Sequence, residues 1–148
     1  VVVAFISMHG STKKMISHFV KALIERGLTV KETDLSKADV GKLAISLVSA
    51  ATVVFGSPTV LTGAHPKVAY AAMLANILRP KTKFASVISS YGWAGKAVGQ
   101  ICSLLPNLKA EILEPVRIKG YPGQGDFEAL DKLADDILAK HKEAGIVK

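Results

Sequence analysis

Three stretches of this sequence combine residue types that suit the binding of a flat, charged organic group. The first, Ser7-Met8-His9-Gly10-Ser11-Thr12, sets three hydroxyls and a run of backbone N–H groups just before a helical pattern. A helix N-terminus presents unpaired N–H groups and the positive end of its dipole, so an anion such as a phosphate monoester suits it. The stretch is neither a GxxxxGK[ST] loop nor a GxGxxG turn, and Ser11 or Thr12 would serve equally well as an ordinary N-cap. The second stretch, 57–66, carries apolar Val60 and Leu61 among the turn residues Pro58, Thr59, Thr62 and Gly63. Apolar groups on a polar edge suit a flat hydrophobic ligand, although a proline-stiffened crossover with its leucine in the core would look the same. The third, Ser90-Tyr91-Gly92-Trp93-Ala94-Gly95-Lys96, holds the only tryptophan and one of the three tyrosines in a glycine-rich segment. Aromatics on such a loop are suited to stacking, and a stray core tryptophan is the plainer alternative. As a set, hydroxyls, an apolar shelf and aromatics describe a site for a phosphorylated planar ring system.

The elements that must position these stretches follow from hydrophobic periodicity. Residues 1–6 form an unalternating, largely β-branched run, as expected of a parallel strand covered on both faces. Met15, Ile16, Phe19, Val20, Leu23 and Ile24 then recur at helical spacing, and Gly27 is placed to end that helix. Further strands are predicted over 28–35, 52–56, 83–89 and 111–119, and further helices over 40–50, 67–78, 96–105 and 126–141. Five strands alternating with five helices predict one doubly wound α/β domain over 1–148, with ligands at the carboxyl ends of the strands.

Composition narrows the function. The 148 residues are 49% hydrophobic and 21% charged, enough to build one core. The longest charge-free stretch, 43–66, is interrupted by Gly56, Ser57, Pro58 and Gly63, so no membrane span is expected. Val1-Val2-Val3 has no basic flank or cleavage site, so no signal peptide is expected; the absent initiator Met suggests a piece of a longer chain. One cysteine, Cys102, precludes an internal disulfide and a thiolate metal cluster, and points to a reducing, cytoplasmic setting. The net charge of +7 invites a nucleic-acid reading, but aromatics are only 6% and the cations are spread along the chain, which disfavours it. Between residues 40 and 110 there are seven cations and no Asp or Glu. Chemistry that needs paired carboxylates or carboxylate-bound magnesium is therefore disfavoured. A phosphorelay receiver is excluded because Ser7-Met8 and Gly56-Ser57 stand where its acidic residues belong.

The motifs SMHGST at 7–12, GSPTVLTGAHP at 56–66 and SYGWAGKA at 90–97 resemble those of the flavodoxins, and more closely those of the C-terminal flavodoxin-like domain of A-type flavoproteins, the flavodiiron proteins. The resemblance runs in order along nearly the whole chain. It implies a five-stranded parallel sheet of order 2-1-3-4-5 with helices on both faces, and FMN as cofactor. It further implies that Ser7, Met8, His9, Gly10, Ser11 and Thr12 cradle the phosphate. Pro58, Thr59, Val60 and Gly63 would line one side of the isoalloxazine, and Ser90, Tyr91, Gly92, Trp93, Ala94 and Gly95 the other.

By the same resemblance, electrons arrive from rubredoxin, a deazaflavin or a similar acidic donor. They pass to a di-iron centre in a metallo-β-lactamase-like domain, of the same longer chain or another subunit, that reduces dioxygen or nitric oxide. His9, His18, His65 and His141 lack ligand spacing, so no metal is expected in this chain. The chain alone then reads as an electron carrier with no catalytic residue of its own, possible as a homo-oligomer. The alternatives are a self-sufficient NAD(P)H:quinone reductase of the flavodoxin-like class and a free-standing flavodoxin. The carboxylate-free middle predicts a reduced flavin less destabilised by local charge and a basic face for the donor. Cys102 reads as a buried small hydrophobe, His65 as a capping or packing residue, and His18 and His141 as helix-surface residues. Arg79, Lys81 and Lys83 read as a solvated turn at the opposite end of the sheet.

Overall fold

The computed structural model describes residues 1–7, 10–37, 40–60, 63–78, 81–91, 96–106 and 109–147. The elements in chain order are β1 (Val2–Phe5), α1 (Ser11–Glu25), β2 (Lys31–Asp34), α2 (Val40–Val48), β3 (Thr52–Val60), β4 (Gly63–Ala64), α3 (Pro66–Leu78), β5 (Phe84–Tyr91), α4 (Ala97–Ser103), β6 (Glu111–Ile112), β7 (Val116–Lys119) and α5 (Gln124–Glu143). The sheet order is β2-β1-β3-β5-β6, with β7 also on β5 and β4 folded back on β3. Leaving aside the two-residue β4 and counting β6 and β7 as one broken strand, this is the expected order 2-1-3-4-5, parallel throughout.

The unalternating strand runs are explained by two cores, one on each face. Val2, Ala4, Ile6, Val53 and Phe55 pack beneath α2, α3 and α4, while Val3, Phe5 and Val54 pack against α1 and α5. A strand buried on both sides needs apolar residues at every position. Gly27 ends α1 as expected. With φ of +81° it lets Leu28 N–H reach Leu23 O at 3.1 Å and its own N–H reach Ile24 O at 3.0 Å, a Schellman closure.

Three expectations about the strands are corrected. The third runs nine residues, not five, because beyond Phe5↔Gly56 it keeps β5 as a partner through Ser57↔Ser89 and Pro58↔Ser90. With β1 finished, Pro58 lies on the open side of the ladder, where a missing N–H is tolerated. The fourth likewise extends to Tyr91, so Ser90 and Tyr91 are strand residues. The fifth is interrupted at 113–115: Leu113 N–H still reaches Ala85 O at 2.8 Å, but Pro115 has no N–H to continue.

His141, expected on a helix surface, is 2% exposed. It follows Ile137 by one turn on the apolar stripe of α5, and its Nε2 meets Thr52 Oγ1 at 2.6 Å beneath β3. His18 sits half-buried between α1 and α5, stacked on Phe127 and 2.8 Å from Asp131 Oδ1. Cys102 is half-buried against the α2–α4 core, and burial raises its thiol pKa. Lys81 and Lys83 are exposed ahead of β5, at the sheet edge opposite the site, and Arg79 lies outside the described residues. No helix among the described residues is long and apolar enough to cross a membrane, and none of their His, Cys, Asp and Glu side chains group as metal ligands.

Candidate functional site

The carboxyl ends of β1, β3, β5 and β7 converge on the N-terminus of α1. How closely α1 approaches is set at Gly56, where a Cβ would stand 2.8 Å from Ile16 Cδ1 and 2.9 Å from Phe5 Cβ. Gly10 is the N-cap, in the left-handed region with φ of +88° and with no side-chain cap bond. Ser11 and Thr12 are therefore the first helical residues, not the N-cap that the plainer reading of the loop allowed. The α1 terminus keeps its dipole and unpaired N–H groups facing the sheet edge. Ser7 Oγ accepts the Gly10 N–H at 3.1 Å, which ties Ser7 to the helix start.

Above this edge lies a cavity of about 230 Å³, lined by Ser11, Thr12, Pro58, Thr59, Ser90, Tyr91, Gly120 and Tyr121. Six of the sixteen expected site residues are thus brought together, from three separate motifs. Thr12 Oγ1 and Ser90 Oγ, both buried, lie 3.1 Å apart and tie the hydroxyl loop to the aromatic one. Ser7 and Gly10 flank the same helix start. Val60 and Gly63 pair across the β3–β4 hairpin, and Gly63 is not among the lining residues. Met8, His9, Gly92, Trp93, Ala94 and Gly95 lie outside the described residues, as do Leu61 and Thr62.

The hairpin is held firmly beside the cavity. Ser57 Oγ accepts the His65 N–H at 2.9 Å, and Gln100 Oε1 accepts the Ala64 N–H at 2.7 Å. His65 caps α3, its Nδ1 accepting the Lys67 N–H at 3.1 Å ahead of Pro66 at the first helical position. This is the capping expected of it. Burial, and secondarily Lys67, push its pKa below the ordinary histidine value.

Gly120 and Tyr121 were not anticipated. The signal was available: Gly120-Tyr121-Pro122-Gly123 follows the fifth strand as the other three motifs follow theirs, and the same sheet-edge rule applies. Gly120 N–H donates to Tyr91 O at 2.7 Å, binding this fourth loop to the third.

The residues present fit FMN. Thr59 Oγ1 is buried without a hydrogen-bond partner among the described residues and belongs to the cavity lining, so it is free to bond a polar ring edge. The helix start with its hydroxyls suits a phosphate, and Pro58, Tyr91 and Tyr121 supply apolar surface for a ring. Among the described residues no charged side chain lines the cavity.

Comparison with known proteins agrees. The sequence profile of the family described as Flavodoxin matches residues 3–136. The chain is 29% identical over 138 residues to the rubredoxin-oxygen oxidoreductase of Megalodesulfovibrio gigas, covering 93% of this chain and 34% of that protein. It is 30% identical over 143 residues to the nitric oxide reductase of Moorella thermoacetica, covering 94% and 35%. The chain thus spans about a third of the length of these curated relatives. The fold superposes on rubredoxin oxygen:oxidoreductase from Desulfovibrio gigas with a TM-score of 0.91 at 28% identity, over 96% of this chain and 36% of that one. A flavodoxin from the domain Archaea matches with a TM-score of 0.82 at 23% identity over 95% and 97%, a likeness of fold. The chain belongs to the flavodoxin family, in the form found as the flavodoxin-like part of A-type flavoproteins, and its cofactor is FMN.

Proposed function

We propose that residues 1–148 form one FMN-binding electron-transfer domain that relays electrons between a reduced donor and a di-iron partner domain. The observation that carries the reading is the meeting of an uncapped α1 N-terminus with the Thr12–Ser90 hydroxyl pair at a cavity walled by Pro58, Thr59 and Tyr91. In this reading the main-chain N–H groups at the α1 start, with the Ser7, Ser11 and Thr12 hydroxyls, hold the phosphate, and Met8 and His9 complete the loop. Pro58, Thr59, Val60 and Gly63 border one side of the ring. Ser90, Tyr91, Gly92, Trp93, Ala94 and Gly95 border the other. The cofactor supplies one- and two-electron redox chemistry; the protein orients it and sets its electrostatics. Thr59 Oγ1 would donate a proton in a hydrogen bond to the ring edge, and the aromatic wall would exclude water.

A relay partner is supported by the names of two relatives, an oxygen oxidoreductase that takes rubredoxin and a nitric oxide reductase, and by their threefold greater length. It is supported also by the outward faces of α2 and α3, where Ile45, Val48, Tyr70, Met73 and Ile77 are between 46% and 74% exposed. A patch of that kind on one face marks a protein contact. An acidic donor such as rubredoxin or a deazaflavin would meet a surface without carboxylates over 40–110. The lone Cys102 suits a reducing, cytoplasmic setting.

The test is anaerobic addition of NADH or NADPH to the FMN-loaded chain, followed through the visible flavin absorbance. A carrier keeps its oxidised spectrum with nicotinamide and bleaches with a reduced rubredoxin or deazaflavin. Rapid bleaching by NAD(P)H alone would make the chain a self-sufficient reductase and overturn the reading.

A further inference from the structure

We propose that Lys14, held against the Tyr121 ring, makes this site selective for the phosphorylated form of the flavin. The inference rests on the FMN reading and goes beyond the main-chain cradle, which a neutral helix start would provide equally well.

The first turn of α1 holds no acidic residue and two lysines, Lys13 and Lys14. A cation there opposes the helix dipole, which favours anions at this end. Such local conflict is expected where a ligand resolves it. The two lysines differ in surroundings. Lys13 interacts electrostatically with Asp34, the last residue of β2. Lys14 forms no ion pair among the described residues; its Nζ stands 4.6 Å from the centroid of Tyr121 and 5.8 Å from that of Phe127. A cation over an aromatic face is attracted to it and held in place.

Tyr121 ties that cation to the site. It lines the cavity together with Ser11 and Thr12, at the end where the α1 dipole emerges, and it is 62% exposed. The backbone presents it there by design of the turn. Gly120 adopts φ of +71°, a conformation most side chains avoid, and its N–H is fixed to Tyr91 O at 2.7 Å. An unpaired ammonium, fixed beside a helix terminus that lacks any carboxylate, is suited to a dianionic phosphate and gains far less from an uncharged ribityl hydroxyl.

The test compares FMN with riboflavin, which differ only in the phosphate, by flavin fluorescence titration of the apo chain at low and high salt. The variants are Lys14→Gln, Lys13→Gln, Tyr121→Phe and Tyr121→Leu, each checked for its thermal midpoint. Lys14→Gln is expected to weaken FMN about tenfold, as loss of one charge-assisted contact does. It should leave riboflavin within about twofold and flatten the salt dependence of FMN binding. Lys13→Gln, with the same change of net charge, should stay near wild type, and Tyr121→Phe, which keeps the ring under the ammonium, should keep the wild-type ratio of FMN to riboflavin affinity whatever its effect on both. Tyr121→Leu should lose most of the same increment, and adding Lys14→Gln to it should cost little more. Equal weakening of FMN and riboflavin by Lys14→Gln, or no effect on either, would overturn the proposal while leaving FMN binding by the chain intact. Wild-type protein that saturates with neither flavin would overturn both this proposal and the FMN reading beneath it.

Discussion

Gly56→Ala probes how the sheet positions the site. The residue is glycine for want of room: its φ is not in the left-handed region, and an added Cβ would lie 2.8 Å from Ile16 Cδ1 and 2.9 Å from Phe5 Cβ. Carbons in good contact sit about 3.5–4.0 Å apart, so the new atom overlaps both neighbours by roughly 0.6 Å or more. Ile16 Cδ1 ends a rotatable side chain and can give way. Phe5 Cβ cannot, because Phe5 is paired with Gly56 itself across β1 and β3. Relief must come from separating the two strands or lifting α1, and overpacking of this kind costs about 1–3 kcal/mol. For a chain of this size a kilocalorie moves the melting point by roughly 2–4 °C, so a loss near 2 kcal/mol means roughly 4–8 °C. Thermal unfolding followed by circular dichroism reads it. Because α1 carries Ser11 and Thr12, FMN affinity should fall in the same variant. Gly99→Ala is the control: nothing lies within 4 Å of its added Cβ on α4, so alanine should stabilise by about 0.5–1 kcal/mol. A Gly56→Ala protein melting within about 1 °C of wild type would refute the reasoning.

Two further predictions concern His141 and His65. Thr52→Val removes the 2.6 Å partner of His141 with little change of shape, leaving a ring nitrogen unsatisfied where both residues are under 3% exposed. A loss of about 1–3 kcal/mol in urea unfolding is expected, whereas Thr52→Val with His141→Phe, removing both partners, should recover much of it. His65 and His141 both have pKa values pushed below the ordinary 6.5, chiefly by burial. Their folded forms favour the neutral ring, so the stability they contribute is complete above about 6.5 and is lost as pH falls through the lowered folded values. Unfolding free energy should be flat on this account from pH 7 to 8 and decline below 6.5, and Thr52→Val with His141→Phe should decline less steeply.

The parallel strands and the helices were legible because each strand buried on both faces is written as an apolar run, and because α1 repeats its apolar residues at helical spacing. The strand ends were not. Ser57, Pro58 and Ser90 look like loop residues, yet main-chain pairing between β3 and β5 is indifferent to side chains and continues through them. Pro115 breaks the fifth strand inside what reads as one run. His141 was misplaced because residue type outweighed position: its spacing from Ile137 already set it on the buried stripe. Three of the four loops at the cavity were visible from composition. The fourth, Gly120 and Tyr121, is marked by its position after the fifth strand, whose end the sheet order sets next to Tyr91, and not by its composition, a single tyrosine beside a turn.

The most direct measurement is titration of the purified, flavin-free chain with FMN, followed by quenching of flavin fluorescence. Saturation at one FMN per chain is expected, with a tightly bound yellow complex after gel filtration. Thr12→Val, which removes the hydroxyl bonded to Ser90, should weaken binding markedly. A chain that retains no FMN, or binds it equally well without Thr12 and Ser11 hydroxyls, would contradict the assignment of the α1 N-terminus as the phosphate cradle.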